Sequence, residues 1–124
     1  MVEGLWSART IAFEERQFVF AKSVRTFLQS FPQTEITRND RSQLLRSSGS
    51  IGANYIEAHE ALSRKDFLYR IRICRKEARE TLLWLRLLES NTPQQLRQEL
   101  SVLQNETNQF IAIFTASIKT LEQG

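Results

Sequence analysis

The chain reads SRKDFLYRIRICRKEARETLLWLRLLES from Ser63 to Ser90, and this stretch decides the fold. Its apolar and small side chains recur at alternating spacings of four and three residues, which is typical of a helix that buries one long seam. The seam consists of Phe67, Ile71, Cys74, Ala78, Thr81, Leu85 and Leu88. Because Ser63 and Asp66 resemble a capping box, we predict a helix over residues 63–90, roughly 40 Å long.

Three further helices are predicted around this segment, over about residues 10–30, 39–58 and 93–121. The first ends at Phe31, because a residue that precedes a proline disfavours helix. The second contains Gly49 and Gly52, whose cost in a helix can be offset where two helices pack closely. The spacing of Thr92 and Gln95 is that of a capping box at the start of the last helix.

Each of these three helices carries an apolar seam of its own. The first seam is Phe13, Phe20, Val24, Phe27 and Phe31, with Gln17 as a polar gap; the second is Leu44, Ser48, Ile51 and Tyr55; the last is Leu96, Leu100, Leu103, Thr107, Phe110, Phe114, Ile118 and Leu121. Four seams joined by short connections predict one all-α domain over residues 1–124, an antiparallel up-down four-helix bundle.

Composition excludes several other classes of protein. Four glycines and two prolines in 124 residues are too few for a turn-rich β fold. The one cysteine, Cys74, cannot form an internal disulfide, so nothing indicates a secreted protein. No apolar run approaches the roughly 20 residues that span a bilayer, and residues 1–10 lack the layout of a signal peptide. We therefore expect a cytoplasmic protein with no membrane partner.

Residues that carry catalytic chemistry are sparse. His59 is the one histidine, and with Glu57 and Glu60 nearby it falls short of a metal-ligand set. Cys74 falls on the buried seam of residues 63–90 and has no second histidine in the chain to act as its base. We therefore expect no metal, no cofactor and no enzymatic activity.

Positive charge is concentrated on residues 63–90. This segment holds eight basic and four acidic side chains, a local charge of +4 against +3 for the whole chain. One helix face carries the basic stripe, which we define as Lys65, Arg72, Arg75, Arg79 and Arg86. Regularly spaced cations can contact phosphates without reading bases, so the stripe is a candidate RNA-binding face. The alternative is an ordinary solvated helix face.

A second apolar group lies roughly opposite the seam of residues 63–90. We call it the outer strip, and it consists of Tyr69, Ile73, Trp84 and Leu87. Exposed apolar patches tend to associate, and Trp and Tyr are common anchors of interfaces. We therefore predict that the outer strip is an interface between subunits. The alternative is a wider core contact within one chain.

Residues 44–88 resemble a known family in order and spacing. The resemblance is carried by SIGANYIEA at residues 50–58, by Ser63, Lys65, Asp66 and Phe67, by KEARET at residues 76–81, and by Trp84-Leu85. It is a resemblance to the four-helix-bundle family of proteins encoded in intervening sequences of bacterial 23S ribosomal RNA genes. The first and last helices match only in length and pattern, and Ala58-His59 stand where many relatives carry glycine.

The resemblance implies an up-down bundle that forms a ring-like homopentamer. It also implies kinship with the accessory proteins of diversity-generating retroelements, which are basic pentamers that bind a reverse transcriptase and nucleic acid. The family positions that this sequence matches are Asn54, Glu57, Lys65 and Glu80.

Four polar residues form the last candidate site, which we call the polar cluster. Asn54 and Glu57 are three apart on the second predicted helix, and Glu77 and Glu80 are three apart on the third. Partly buried polar groups need partners and so specify one packing, which favours a structural role over a surface for a partner.

Two functions remain open on the sequence. The first is a non-enzymatic oligomeric scaffold that binds RNA, or an RNA-bound partner, through the basic stripe. The second is a protein-interaction module that docks a polymerase such as a reverse transcriptase without direct nucleic-acid binding.

Overall fold

The computed structural model describes residues 7–124, which form four α-helices and no β-strand. The helices are α1 (Ala8–Ser30), α2 (Arg38–His59), α3 (Arg64–Leu88) and α4 (Arg97–Gln123). Short 3₁₀ turns lie between them at Glu35–Thr37, Glu89–Asn91 and Gln94–Leu96. Each helix packs against the next, and α1 also packs against α4, so this part of the chain is an antiparallel up-down four-helix bundle, as predicted. None of these helices is long and apolar enough to cross a bilayer.

Buried contacts between α2 and α3 show their antiparallel register. The hydroxyl oxygens of Thr81 and Ser47 lie 2.8 Å apart, and the Cys74 thiol donates to the carbonyl of Ile51 at 3.6 Å. Earlier residues of α2 therefore meet later residues of α3. This helix pair makes the most extensive contact in the bundle, because small side chains allow the two backbones to approach.

The four predicted seams form the core. The α3 seam is buried from Ile71 to Leu88, and the α4 seam is buried from Leu96 to Ile118. Three phenylalanine rings join α1 to α4 in edge-on contacts, with centroids 5.7 Å apart for Phe13 and Phe110 and 5.2 Å apart for Phe20 and Phe110. Burial of these large rings is a main source of the bundle's stability.

The connection from α3 to α4 differs from the prediction. Helix α3 ends at Leu88 rather than at residue 90, and α4 begins at Arg97 rather than at residue 93. Thr92 does not cap α4, because its buried hydroxyl donates to the carbonyl of Leu88 at 2.7 Å. A carbonyl buried at the end of a helix needs a hydrogen-bond donor, and the Thr92 hydroxyl supplies it at the end of α3 instead of capping α4. Ser63 caps α3 as predicted by accepting from the Asp66 amide at 3.1 Å.

The two internal glycines of α2 border α1. A β-carbon on Gly49 would lie 3.2 Å from a guanidinium nitrogen of Arg25, which is a tight contact. A β-carbon on Gly52 would lie 3.8 Å from the β-carbon of Gln17, which is ordinary van der Waals contact. Position 52 therefore has room for a methyl group, and position 49 has less.

Gly52→Ala should raise the free energy of unfolding by about 0.5–1 kcal/mol, because alanine loses less backbone entropy than glycine in a helix. Chemical denaturation at a fixed protein concentration measures the change. Gly49→Ala is the matched comparison and should gain less, because its methyl group has to displace the Arg25 side chain. A clear loss of stability in Gly52→Ala would contradict the contact described here.

Candidate nucleic-acid interface

The basic stripe lies on the side of α3 that borders α4. Its four members at seven-residue spacing are exposed, and Arg75 is half-buried. Arg72 forms an ion pair with Glu122 of α4, which shows where the two helices meet. Over residues 7–124, the other four members of the stripe form no ion pair with a carboxylate. Their charges are therefore available to a polyanion in solution.

Two contacts set the register of α4 against α3. The Gln104 side-chain amide donates to the Glu89 carboxylate at 2.6 Å, just after the end of α3. Toward the other end of the pair, Arg72 meets Glu122. Because the helices run antiparallel between these two points, residues of α3 and α4 can be matched across the groove that separates them.

This register leaves two arginines beside uncharged side chains. It places Asn108 opposite Arg86, and it places Thr115 opposite Arg79. All four of these residues are exposed. Asparagine and threonine can donate hydrogen bonds to phosphate oxygens, whereas Glu122 would repel a phosphate near Arg72. The half of the stripe that contains Arg79 and Arg86 is therefore the better phosphate-binding surface.

The outer strip divides into two exposed and two half-buried residues. Tyr69 is 60% exposed and Leu87 is 48% exposed. Ile73 and Trp84 are half-buried, and Trp84 packs against the core. The indole nitrogen of Trp84 is buried and has no hydrogen-bond partner in residues 7–124. Trp84 thus makes the wider core contact that stood as the alternative, and Tyr69 and Leu87 remain as surface residues.

Leu83 belongs to the same surface and was missed in the sequence. It is 45% exposed and lies two heptad repeats after Tyr69 on α3. This spacing is the signal that could have found it, because residues seven apart share a helix face. We call Tyr69, Leu83 and Leu87 the exposed α3 face.

The polar cluster is joined by two arginines that the sequence interpretation did not include. Arg46 of α2 donates to the carboxylates of Glu77 at 3.2 Å and Glu80 at 3.1 Å. Arg70 of α3 donates to the side-chain oxygen of Asn54 at 3.2 Å. The charges of Glu77 and Glu80 on α3 are the signal that could have indicated Arg46. Arg70 bonds the uncharged Asn54, so no charge pattern identifies it.

The remaining member, Glu57, is exposed, and none of the hydrogen bonds or ion pairs of residues 7–124 joins it to the other three. The structure therefore brings Asn54, Glu77 and Glu80 into one seam across the α2–α3 border. This arrangement agrees with a role in fixing the register of the two helices.

Arg46→Ala should lower the free energy of unfolding by about 1–3 kcal/mol, because Glu77 is mostly buried and would keep only Lys76, whose nitrogen lies 3.9 Å from its carboxylate. Arg38→Ala is the matched control, since Arg38 pairs with the exposed Glu35 within one helical turn and should cost less than about 0.5 kcal/mol. Chemical denaturation compares the two variants. Equal losses would show that the Arg46 pair has no special role.

His59 is a core histidine at the end of α2. It is buried, and its ring lies edge-on to Tyr55 at 4.4 Å and to Phe67 at 5.6 Å between centroids. Burial lowers the pKa of His59 and raises the pKa of Tyr55 to about 12. Within the described part of the chain, no group of three or more His, Cys, Asp or Glu side chains is placed to hold a metal ion.

Cys74 should be unreactive toward thiol reagents in the folded protein. Burial raises the pKa of its thiol to about 12, so the reactive thiolate is absent between about pH 7 and 9. Maleimide labelling followed by mass spectrometry should show modification only after denaturant is added. Rapid labelling of the native protein at about pH 7 would contradict the burial of this side chain.

Comparison with known proteins identifies relatives of the same shape. Residues 10–116 match the family described as 23S rRNA-intervening sequence protein. A solved structure from Bacteroides thetaiotaomicron VPI-5482, a protein of unknown function from the S23 ribosomal protein family, is 31% identical in sequence. The similarity covers 86% of this chain and 97% of that chain, with a TM-score of 0.73. The comparison with curated proteins gave no match.

Neither the family description nor the solved structure names an enzymatic activity. The match spans all four helices of the bundle, because it begins near the start of α1 and ends within α4. It therefore extends the resemblance found at residues 44–88 to most of the sequence. The chain belongs to the family of 23S rRNA-intervening sequence proteins.

Proposed function

We propose that the protein is a non-enzymatic oligomeric scaffold that binds RNA through the basic stripe of α3. The single observation that carries this proposal is the environment of Arg79 and Arg86. Both side chains are exposed, neither is paired with a carboxylate of residues 7–124, and both border uncharged hydrogen-bonding groups of α4. Such a surface offers cations and neutral donors together, which is the composition of a phosphate-binding groove.

The length of the stripe supports contact with several phosphates. Lys65 and Arg86 lie near the two ends of α3, so the stripe spans roughly 30 Å at the rise of an α-helix. Few side chains along it are suited to base reading, and Tyr69 is its nearest exposed aromatic residue. Binding by this surface should therefore depend strongly on salt and only weakly on RNA sequence.

Assembly would multiply the effect of each stripe. We propose a closed homo-oligomer, and the resemblance to the family favours a pentamer. The support in this chain is the exposed α3 face, whose three apolar residues are each between 45% and 60% exposed. A ring would present one basic stripe per subunit, so that weak individual contacts add through multivalency.

The surface chemistry also admits a second candidate function. The exposed α3 face lies beside the basic stripe, and apolar residues flanked by arginines are typical of protein interfaces. On this reading the same helix docks a polymerase such as a reverse transcriptase, in keeping with the accessory proteins of diversity-generating retroelements. An assay of RNA binding by the purified protein, with no partner present, distinguishes the two functions.

Light scattering tests the assembly. Wild-type protein at micromolar concentration should have a mass several times the 14.5 kDa of one chain, and five times that mass for a pentamer. A monomer would contradict the scaffold proposal. Trp84→Glu is a poor probe of the interface, because Trp84 packs against the core and its replacement would destabilise the fold.

Filter retention tests the RNA contact. Purified protein should retain labelled single-stranded or structured RNA at low salt, with similar affinities for unrelated sequences. If no RNA is retained on the filter at low salt, the RNA-binding function is ruled out and the protein-docking function of the same surface is favoured.

A further inference from the structure

A lysine of α4 adds a cation to the groove between α3 and α4, and the sequence interpretation did not include it. Lys119 is exposed and forms no ion pair in residues 7–124. It lies one helical turn after Thr115 on the same side of α4, because residues four apart are neighbours on a helix. The register that places Thr115 opposite Arg79 also places Lys119 opposite Arg75. The groove therefore has cations on both walls.

The acids of the two helices face away from the middle of this groove. Between residues 73 and 88 of α3 and between residues 100 and 121 of α4, the sequence has three acids. Glu77 and Glu80 face α2, where both pair with Arg46. Glu106 faces α1, where it pairs with Arg16. The groove itself thus presents cations and neutral donors to a polyanion, without acids between them that would weaken the attraction.

The two ends of this part of the groove are marked by acids that already have partners. Glu89 accepts a hydrogen bond from Gln104 at one end, and Glu122 pairs with Arg72 at the other. Between these points α3 and α4 run side by side for roughly 25 Å, at the rise of an α-helix. The groove is therefore straight and long enough for several consecutive phosphates of one strand.

The width of the groove favours one strand over two. The axes of packed helices lie about 8–10 Å apart, so the cations of the two walls face each other across a narrow cleft. The backbone of a single strand can lie along such a cleft and contact both walls. A duplex is much wider, and its phosphates wind around its axis and away from a straight line of cations. A duplex would therefore contact one wall at a time.

We propose that the α3–α4 groove binds a single-stranded segment of RNA, with its phosphates between the arginines of α3 and Lys119 of α4. The inference rests on the RNA-binding part of the proposed function, and it specifies the class of RNA and the second wall of the site. Arg79 and Arg86 contact phosphates from one side. Asn108 and Thr115 donate hydrogen bonds to phosphate or ribose oxygens from the other side, next to Lys119.

Competition between a single strand and a duplex tests the class of RNA. A labelled strand of mixed sequence, designed without self-pairing, is retained on a filter by the wild-type protein at low salt. Unlabelled competitor is either the same strand or its duplex with the complementary strand. We expect the duplex to compete about tenfold or more weakly, because it loses the contacts of one wall.

Equal competition by the duplex would overturn the inference while leaving RNA binding through α3 intact. Failure to retain the labelled strand at all would contradict the proposed function itself, and with it this inference. The two failures are therefore distinguishable in one experiment.

Lys119→Gln tests the second wall. The variant should bind the single strand about threefold or more weakly at low salt, and its slope of log affinity against log salt should become shallower by about 0.7 for each subunit contacted. Lys22→Gln is the matched control, since Lys22 is exposed on α1 and its amine lies 5.7 Å from the Phe18 ring. It should leave the slope unchanged. Equal changes of slope in the two variants would show that net charge matters and that Lys119 has no special place.

Photochemical cross-linking tests the position of the strand. Thr115→Cys on the groove and Ser23→Cys on α1 are each labelled with a benzophenone maleimide, and both positions are exposed. Cys74 is buried and gives little background. Irradiation should join the single-stranded RNA to the label at position 115 and not to the label at position 23. Retention of RNA by protein labelled at position 115, without a cross-link, would overturn the inference.

Discussion

Leu85→Ala should lower the free energy of unfolding by about 2–5 kcal/mol, the range for leucine truncations in packed cores. Leu85 is fully buried in the seam of α3, which packs against both α2 and α4. Removal of the side chain leaves a cavity that the surrounding helices can fill only in part. Chemical denaturation at a fixed protein concentration measures the loss, and the slope of the transition checks that unfolding remains cooperative.

Leu45→Ala is the matched control for this prediction. It makes the same chemical change on α2, outside the exposed α3 face, and Leu45 is 43% exposed. We expect a loss below about 1 kcal/mol for the folded chain, because less apolar surface returns to water. A loss under about 0.5 kcal/mol for Leu85→Ala would mean that Leu85 is outside the core and that the register of α3 is wrong.

The second large effect concerns RNA binding. The double variant Arg79→Gln, Arg86→Gln should bind RNA about tenfold or more weakly at low salt, because it removes two phosphate contacts from each subunit. These two arginines border uncharged side chains of α4, and neither forms an ion pair with a carboxylate in residues 7–124. Arg72→Gln alone should have a smaller effect, because Arg72 is paired with Glu122.

The control for the double variant is Arg9→Gln, Arg25→Gln. Both pairs of changes remove two positive charges that form no ion pair in residues 7–124, and Arg9 and Arg25 are exposed on α1. If only net charge mattered, the two double variants would lose affinity equally. The stripe predicts that the control binds RNA nearly as well as wild type. Circular dichroism and light scattering should show the same fold and assembly for both variants.

The sequence predicted the bundle because each seam repeats over many turns of helix. The α3 seam has no polar interruption from Ile71 to Leu88 apart from Thr81, and every member of that stretch is buried. A periodic pattern of this length permits only one orientation of the helix against the core, because rotating the helix by one residue would expose the apolar face. Helix ends were less predictable, because Thr92 has two possible roles and tertiary burial selects between them.

The candidate sites were only partly predictable, because they depend on which helix edges meet. The basic stripe could be read from one helix alone. The partners of the polar cluster could not, since Arg46 reaches Glu77 only when α2 and α3 are in register. For the same reason the sequence did not separate Trp84 from Tyr69, which lie on one side of α3 although Trp84 packs against the core and Tyr69 is 60% exposed.

The outer face of α1 was missed because its apolar residues are consecutive. Phe18 and Val19 stand directly before Phe20, and a run of three apolar residues fits more than one helix face. Only the packed structure shows that Phe20 enters the core while its two neighbours stay exposed. The buried amide of Gln17 was visible in the sequence as a gap in the seam, but its lack of partners was not.

The dependence of RNA affinity on salt shows directly whether α3 contacts phosphates. Filter binding of wild-type protein to one RNA across a range of salt concentrations gives the slope of log affinity against log salt. The basic stripe predicts a slope of about −2 or steeper, since each phosphate contacted on a single strand contributes about −0.7. The slope should become shallower in Arg79→Gln, Arg86→Gln. A flat dependence, or no RNA retained at low salt, would contradict the central claim that this bundle binds RNA through α3.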